Sequence, residues 1–168
     1  DSLRPVSSGL LGHRANAGDG TDRAVERQLA GHPEAAESVG GDLSKIDTRQ
    51  PPSSLHETDF KDVVGRQPVA LQFATPALCQ TRVCGPVVDI TEQVKNEIGD
   101  GVEFIQMEIY KNNDPNEGLR PQLQPYGLQT EPWMFLIGKD GRIEKRIEGP
   151  FSVEELKADV ERLKAQAG

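Results

Sequence analysis

The sequence predicts an α/β domain behind a mostly irregular N-terminal extension, and three observations carry that expectation. From about residue 58 onward, segments with apolar residues every three or four positions alternate with short apolar runs. Glycine or proline punctuates nearly every junction between them. The first fifty-odd residues hold no apolar run longer than "GLLG", so a core drawn from only 35% hydrophobic residues has to come from the rest of the chain.

Residues 1–53 therefore read as tail and linker, punctuated by "NAGDG" at 16–20, "SVGGD" at 38–42 and "RQPPSS" at 49–54. Inside it, Thr21 is placed to cap a short helix over "DRAVERQLA", whose Ala24, Val25 and Leu29 make a thin stripe, with Gly31 as a left-handed stop. "GDLSKID" at 41–47 is read as an edge segment of a later sheet. The domain itself is expected over 54–168. Thr58 is expected to cap "DFKDVVG", where Phe60, Val63 and Val64 share a face and Gly65 ends the turn.

"PVALQFA", 68–74, reads as a strand. The next helix places Val87, Ile90, Val94 and Ile98 at helical spacing and closes on Gly99. "VEFIQMEIY", 102–110, alternates Val102, Phe104, Gln106 and Glu108 against Glu103, Ile105, Met107 and Ile109, one side being the greasier. "NNDPNEGLRPQLQPYG", 112–127, is too rich in proline for a long helix, with room for two turns in "EGLRPQL". "PWMFLIG" and "GRIEKRIEG" are two strands joined by the turn "KDG", and Ser152 caps a final amphipathic helix, "VEELKADVERLKA".

A formal charge of -8 argues against a nucleic-acid or anionic-membrane partner, because phosphate binding needs a concentrated cationic face. No 18-residue apolar stretch is present to span a membrane. The chain opens "DSLRPVSSG", without a charged n-region or an apolar h-region, so an export signal is expected to have been removed ahead of this numbering. The three histidines, His13, His32 and His56, are scattered through the polar tail and its junction and read as surface residues.

Chemistry is concentrated in "CQTRVCGP", 79–86, which holds both cysteines of the chain. Five residues on an ideal helix rotate by roughly 140° and rise about 7.5 Å, whereas a disulfide needs Cα atoms about 4.4 to 6.8 Å apart. Either Cys79 lies in the loop and Cys84 in the first helical turn, or bonding unwinds about a turn around Thr81. The helix N-terminus would stabilise a thiolate, with Arg82 adding a cation, so Cys79 is the better nucleophile and Cys84 the resolving thiol behind it.

The element order resembles the thioredoxin fold, a central mixed sheet flanked by helices, over about 58–164. In that family a strand-end Phe precedes a helix-kinking Pro by thirteen residues, and Phe73 and Pro86 keep that distance. "YGLQTEP" looks like the stretch that leads to the family's cis-proline, which makes Pro132 the candidate. The resemblance implies that Thr130, Glu131 and Pro132 lie opposite the cysteine pair, where an incoming substrate strand would bind, with Trp133 lining that groove or filling the core. The sequence also looks like extracytoplasmic bacterial proteins with "FATPxxCxxxxCGP" segments.

The departures are equally specific. The family has W-C-G-P-C where this chain reads "LCQTRVC", and its buried strand carboxylate falls at Gln72, which cannot take up a proton. Three function classes stay open. The leading one is a thiol-disulfide oxidoreductase using the Cys79/Cys84 pair on a disulfide-bearing protein or small thiol, with Thr81, Arg82 and Pro86 in support. The second is a thiol peroxidase, favoured by "TRVC", which would make Cys84 the peroxidatic thiol. The third is a non-catalytic binding module whose bridge is structural. No cofactor and no metal are expected, and the protein is read as a monomer. An even pair of cysteines suits an extracytoplasmic location, exported or tethered, although a cytoplasmic redox enzyme would show the same pair.

Overall fold

A computed structural model describes residues 33–79, 82–121, 123, 128 and 131–168. The helix expected over 21–31 lies outside them. Among the described residues, three α-helices and four strands follow in the order α1 (Phe60–Val63), β1 (Val69–Phe73), α2 (Cys84–Ile98), β2 (Glu103–Met107), β3 (Trp133–Ile137), β4 (Ile143–Glu148) and α3 (Val153–Ala167). The sheet runs β2-β1-β3-β4, with β1 parallel to β2 and antiparallel to β3, and β3 antiparallel to β4. A parallel pair needs a crossover, and α2 supplies it.

This placement explains the composition of the strands. All five residues of β1 are buried because both of its edges are paired and both of its faces covered, so "VALQF" has no solvent side to alternate toward. At the sheet edge β4 buries Ile143 and Ile147 and turns Glu144 and Glu148 outward. Ala70, Phe104, Met134, Leu136 and Ile147 face α2 and α3, where they meet Val87, Val88, Val94, Leu156, Val160 and Leu163. Leu71, Phe73, Ile105, Met107 and Phe135 face the other way, toward Phe60 and Val63 of α1 and Leu123 and Leu128. Both sides of β2 are therefore packed, the polar Gln106 included.

Helix α2 buries Val87, Val88, Thr91 and Val94, with Ile90 and Ile98 on the flank, and stops at Gly99 with φ 67°. Helix α3 starts on a capping box in which the Ser152 hydroxyl accepts from the Glu155 N–H at 3.1 Å and the Glu155 carboxylate accepts from the Ser152 N–H at 2.8 Å.

Three local expectations are corrected. Residues 41–47 add no strand: Leu43–Lys45 is a 3-10 turn, with Gly40 and Gly41 both at positive φ ahead of it. Asp59, not Thr58, is the N-cap residue of α1, and the Thr58 hydroxyl donates to Glu103 at 2.9 Å instead. His56 is not on the surface but 4% exposed, its Nδ1 2.8 Å from the Glu34 carbonyl and its Nε2 3.0 Å from the Asp47 carboxylate. Both neighbours are acceptors, so sequence polarity hid a buried, fully partnered imidazole.

The segment 33–53 is bound to the domain by polar groups more than by greasy ones. Asp59 accepts from the Glu34 N–H at 2.7 Å, the Ala35 N–H at 2.8 Å and the Ser38 hydroxyl. Glu34 returns the contact by accepting from the Phe60 N–H, the first of α1, at 2.9 Å. Arg49 pairs with Asp89 and, at 3.2 Å, with Glu92 of α2.

Glu34 also makes stability depend on pH. Burial, reinforced by the neighbouring Asp59, pushes its carboxyl from 4.5 to about 8, against the Phe60 N–H and the positive charges of Arg120 and Lys61. The folded state thus keeps a proton that the unfolded chain releases above its ordinary value, and stability falls as pH rises from that value toward the folded one. Glu34→Gln keeps an acceptor for the Phe60 N–H and removes this titration. It is expected to be neutral near pH 5 and more stable than the wild type by about 2–4 kcal/mol at pH 8, read by denaturant melts at both values. Equal differences at the two pH values would contradict it.

Candidate active site

The site forms where β1 and β2 end and α2 begins. β1 delivers Thr75 two residues past its last strand position, the chain turns through Thr75–Leu78, and Cys79 and Cys84 form a disulfide with Cα atoms 6.0 Å apart. Of the two arrangements open from sequence, the first is adopted: Cys79 lies in the loop and Cys84 opens α2. Arg82, with φ 59°, turns the chain between them, its N–H donating to the Cys79 carbonyl at 3.4 Å. The Arg82 side chain is exposed. Thr81 lies outside the described residues.

Burial separates the two sulfurs. Cys79 is partly exposed, whereas Cys84 is fully buried beside Val87 and Val88. Pro86, in the first turn of α2, is exposed and has no N–H to contribute, in a turn whose amides lack helical partners in any case. Among the described residues no side chain caps that turn, and the positive end of the helix is directed at the cysteine segment.

The opposite wall comes from the loop before β3. The Glu131–Pro132 peptide is cis and Pro132 is buried. Thr130 lies outside the described residues. The Glu131 side chain accepts from the Thr75 N–H at 2.8 Å, and its carboxylate lies within 4.8 Å of both cysteine sulfurs. No other such group of three donors occurs among the described residues, and with the sulfurs bonded to each other the trio offers no thiolate to a cation. Burial raises the Glu131 carboxyl to about 7, the Glu108 carboxylate adding to the rise and the Thr75 N–H opposing it.

Behind Glu131 the polar groups continue. Glu108 is 1% exposed and accepts from the Thr48 N–H at 2.7 Å and the Thr48 hydroxyl at 2.9 Å. Burial holds its carboxyl above the usual range despite the hydrogen bonds from Thr48 and Thr75. Arg120, 8% exposed, is the cation whose charge reaches Glu108 and Glu34. Gln72 is fully buried, and both polar atoms of its amide lack a partner among the described residues.

Trp133 stacks on Phe135 with ring centres 5.9 Å apart and pairs across the sheet with Phe73, so its ring packs on the face opposite the Cys84 cluster. The structure thus brings together Cys79, Cys84 and Glu131, with Pro132 following in the chain. The Glu131 carboxylate is the part that sequence reasoning missed, because the residue was valued for its backbone alone. Its position next to the candidate cis-proline was the available signal.

Neither a scan of protein-family models nor a search of curated proteins finds a match to this sequence. Solved structures do match. A thiol:disulfide interchange protein of the thioredoxin family from Chlorobium tepidum superposes with a TM-score of 0.50 at 15% identity, covering 65% of this chain and 87% of that one. The domain is thioredoxin-like. Two further neighbours of this thioredoxin-like chain are a secreted Mycobacterium tuberculosis disulfide oxidoreductase (TM-score 0.47, 18% identity, 72% and 97% coverage) and an exposed lipoprotein thioredoxin from Streptococcus pneumoniae (0.43, 17%, 61% and 88%). At 15% identity the first of these likenesses shows the fold alone, and chemistry has to be argued from the site.

Proposed function

We propose that the protein is a thiol-disulfide oxidoreductase in which Cys79 attacks and Cys84 resolves. One observation carries the reading: the bonded pair sits at the start of α2 with the first sulfur reachable and the second buried. In the reduced protein the Cys79 thiolate, stabilised by the helix N-terminus, attacks one sulfur of a substrate disulfide. The Cys79–substrate bond forms, and the other substrate sulfur leaves with the electron pair and takes a proton. Cys84 then attacks the Cys79 sulfur, the protein disulfide closes and the second substrate thiol departs. Two electrons pass from the protein dithiol to the substrate disulfide, and the reverse sequence oxidises a substrate dithiol.

The substrate is proposed to be a disulfide-bearing protein or small thiol that docks beside Pro132 and Glu131, with Trp133 packed on the other face of the sheet. Arg82 turns the chain between the sulfurs, and Pro86 lies beyond Cys84 in the first turn of α2. The bonded pair is what an oxidising, extracytoplasmic compartment would maintain, and no helix among the described residues is long and apolar enough to cross a membrane. Reduced protein mixed with oxidised glutathione is expected to regain the Cys79–Cys84 bond and release reduced glutathione, followed by mass. Thiols that persist in that mixture would refute exchange.

A further inference from the structure

We infer that the Glu131 side chain, reaching the cysteine pair from the loop before β3, is the proton acceptor for Cys84. The inference rests on the exchange reading above. Its geometry does not: one carboxylate lies within 4.8 Å of both sulfurs, and the Thr75 N–H fixes it there at 2.8 Å.

Burial makes such an acceptor necessary for the resolving step. Cys84 is fully buried beside valines, so its thiol resists losing its proton to solvent. In the resolving step the Glu131 carboxylate takes the Cys84 proton, and the Cys84 sulfur attacks Cys79. The Cys79–Cys84 bond forms and the Cys79–substrate bond breaks. The departing substrate sulfur keeps the electron pair and collects the proton from Glu131, which returns to the carboxylate. Nothing is consumed beyond the two electrons already counted.

The groups that face Glu131 tune it for this. Glu108, just past β2, repels its charge, the Thr75 N–H after β1 favours it, and Tyr110, whose phenol pKa is raised first by burial, feels the Glu131 charge as a smaller further rise. The two cysteines complete the shell from the loop and α2. With Glu131 raised to about 7, the carboxylate and the carboxylic acid are both present near neutrality, the condition under which one group both accepts and returns a proton.

The test separates the two chemical steps by acid quench and mass, using reduced protein and oxidised glutathione. In the wild type, release of the second glutathione should lose rate as pH falls through about 7, the value of the Glu131 carboxyl, and should level off above it. In Glu131→Gln any change in formation of the mixed disulfide, where Glu131 stands beside the docking substrate, should be the same factor at every pH, while release slows on the order of a hundredfold at pH 7. The loss in release should shrink only well above the ordinary thiol value of about 8.5, once solvent deprotonates the buried Cys84. A merely structural or docking role would not give a loss in release that alkali recovers. Release in Glu131→Gln at the wild-type rate would overturn the inference and leave exchange standing. A wild-type release step whose only inflection lies at the thiol's own pKa would overturn it too, without any variant. Wild-type protein that forms no mixed disulfide at all would overturn both readings.

Discussion

Cys79→Ser is expected to abolish exchange with glutathione or a protein disulfide, since a hydroxyl cannot form the mixed disulfide on which both later bonds depend. Cys84→Ser should behave differently: Cys79 still attacks, but nothing resolves the adduct, and a protein–glutathione species accumulates to near one equivalent by mass. Neither loss can be blamed on unfolding. The bridge closes only a short loop, so its removal costs about 2 kcal/mol on the chain-entropy model, against a typical total of about 5–15 kcal/mol. The same pair of variants decides the peroxidase alternative. That reading makes Cys84 the peroxidatic thiol, yet Cys84 is fully buried in the bonded form. Peroxide consumption that survives Cys79→Ser and vanishes in Cys84→Ser would favour it; the account here predicts the opposite order of thiol reactivity.

The second large effect is structural. A chain shortened to begin at residue 54 is expected to lose its cooperative fold. The cut removes Glu34, the acceptor for the first N–H of α1, and Asp47, the partner of His56 Nε2. It also removes Thr48, whose N–H and hydroxyl hold Glu108, and the Glu34 and Ala35 amides that satisfy Asp59. Each buried polar group left without a partner costs about 1–3 kcal/mol. Four such groups together cost about 4–12 kcal/mol, comparable with the whole stability of an ordinary domain. Broad, non-cooperative melting by circular dichroism is the expected result, and a sharp transition close to that of the full chain would contradict it. Asp59→Ala in the full chain, which strands three donors at once, should reproduce part of the loss at about 3 kcal/mol.

The element order was legible in the sequence because hydrophobic period and turn residues agree with it at nearly every boundary. "VALQF" reads as a strand, which the structure buries on both faces, and "SVEE" opens α3 with the capping box it spells. The pair at Cys79 and Cys84 was legible as well, since helical geometry left only two ways to bond it, and the loop-plus-first-turn arrangement is the one adopted. What the sequence concealed is polar burial. His56 reads as a surface residue, Glu34 and Asp47 as part of the tail and Glu108 as one position of a strand, because polarity at one position says nothing of a partner some sixty residues away, as with Thr48 and Glu108. For the same reason the sequence, in which Gln72 offers no carboxylate, did not show that the Glu131 carboxylate comes within 4.8 Å of both sulfurs from the loop before β3.

The claim that the Cys79–Cys84 bond is an exchanging couple and not a staple meets its most direct test in its reduction potential, measured by equilibration in thiol redox buffers and counting of alkylated thiols by mass. The account predicts a value between about -120 and -270 mV, the range of exchanging dithiols. A value below about -300 mV, where structural disulfides lie, would contradict it and leave a thioredoxin-like binding module with a fixed bridge.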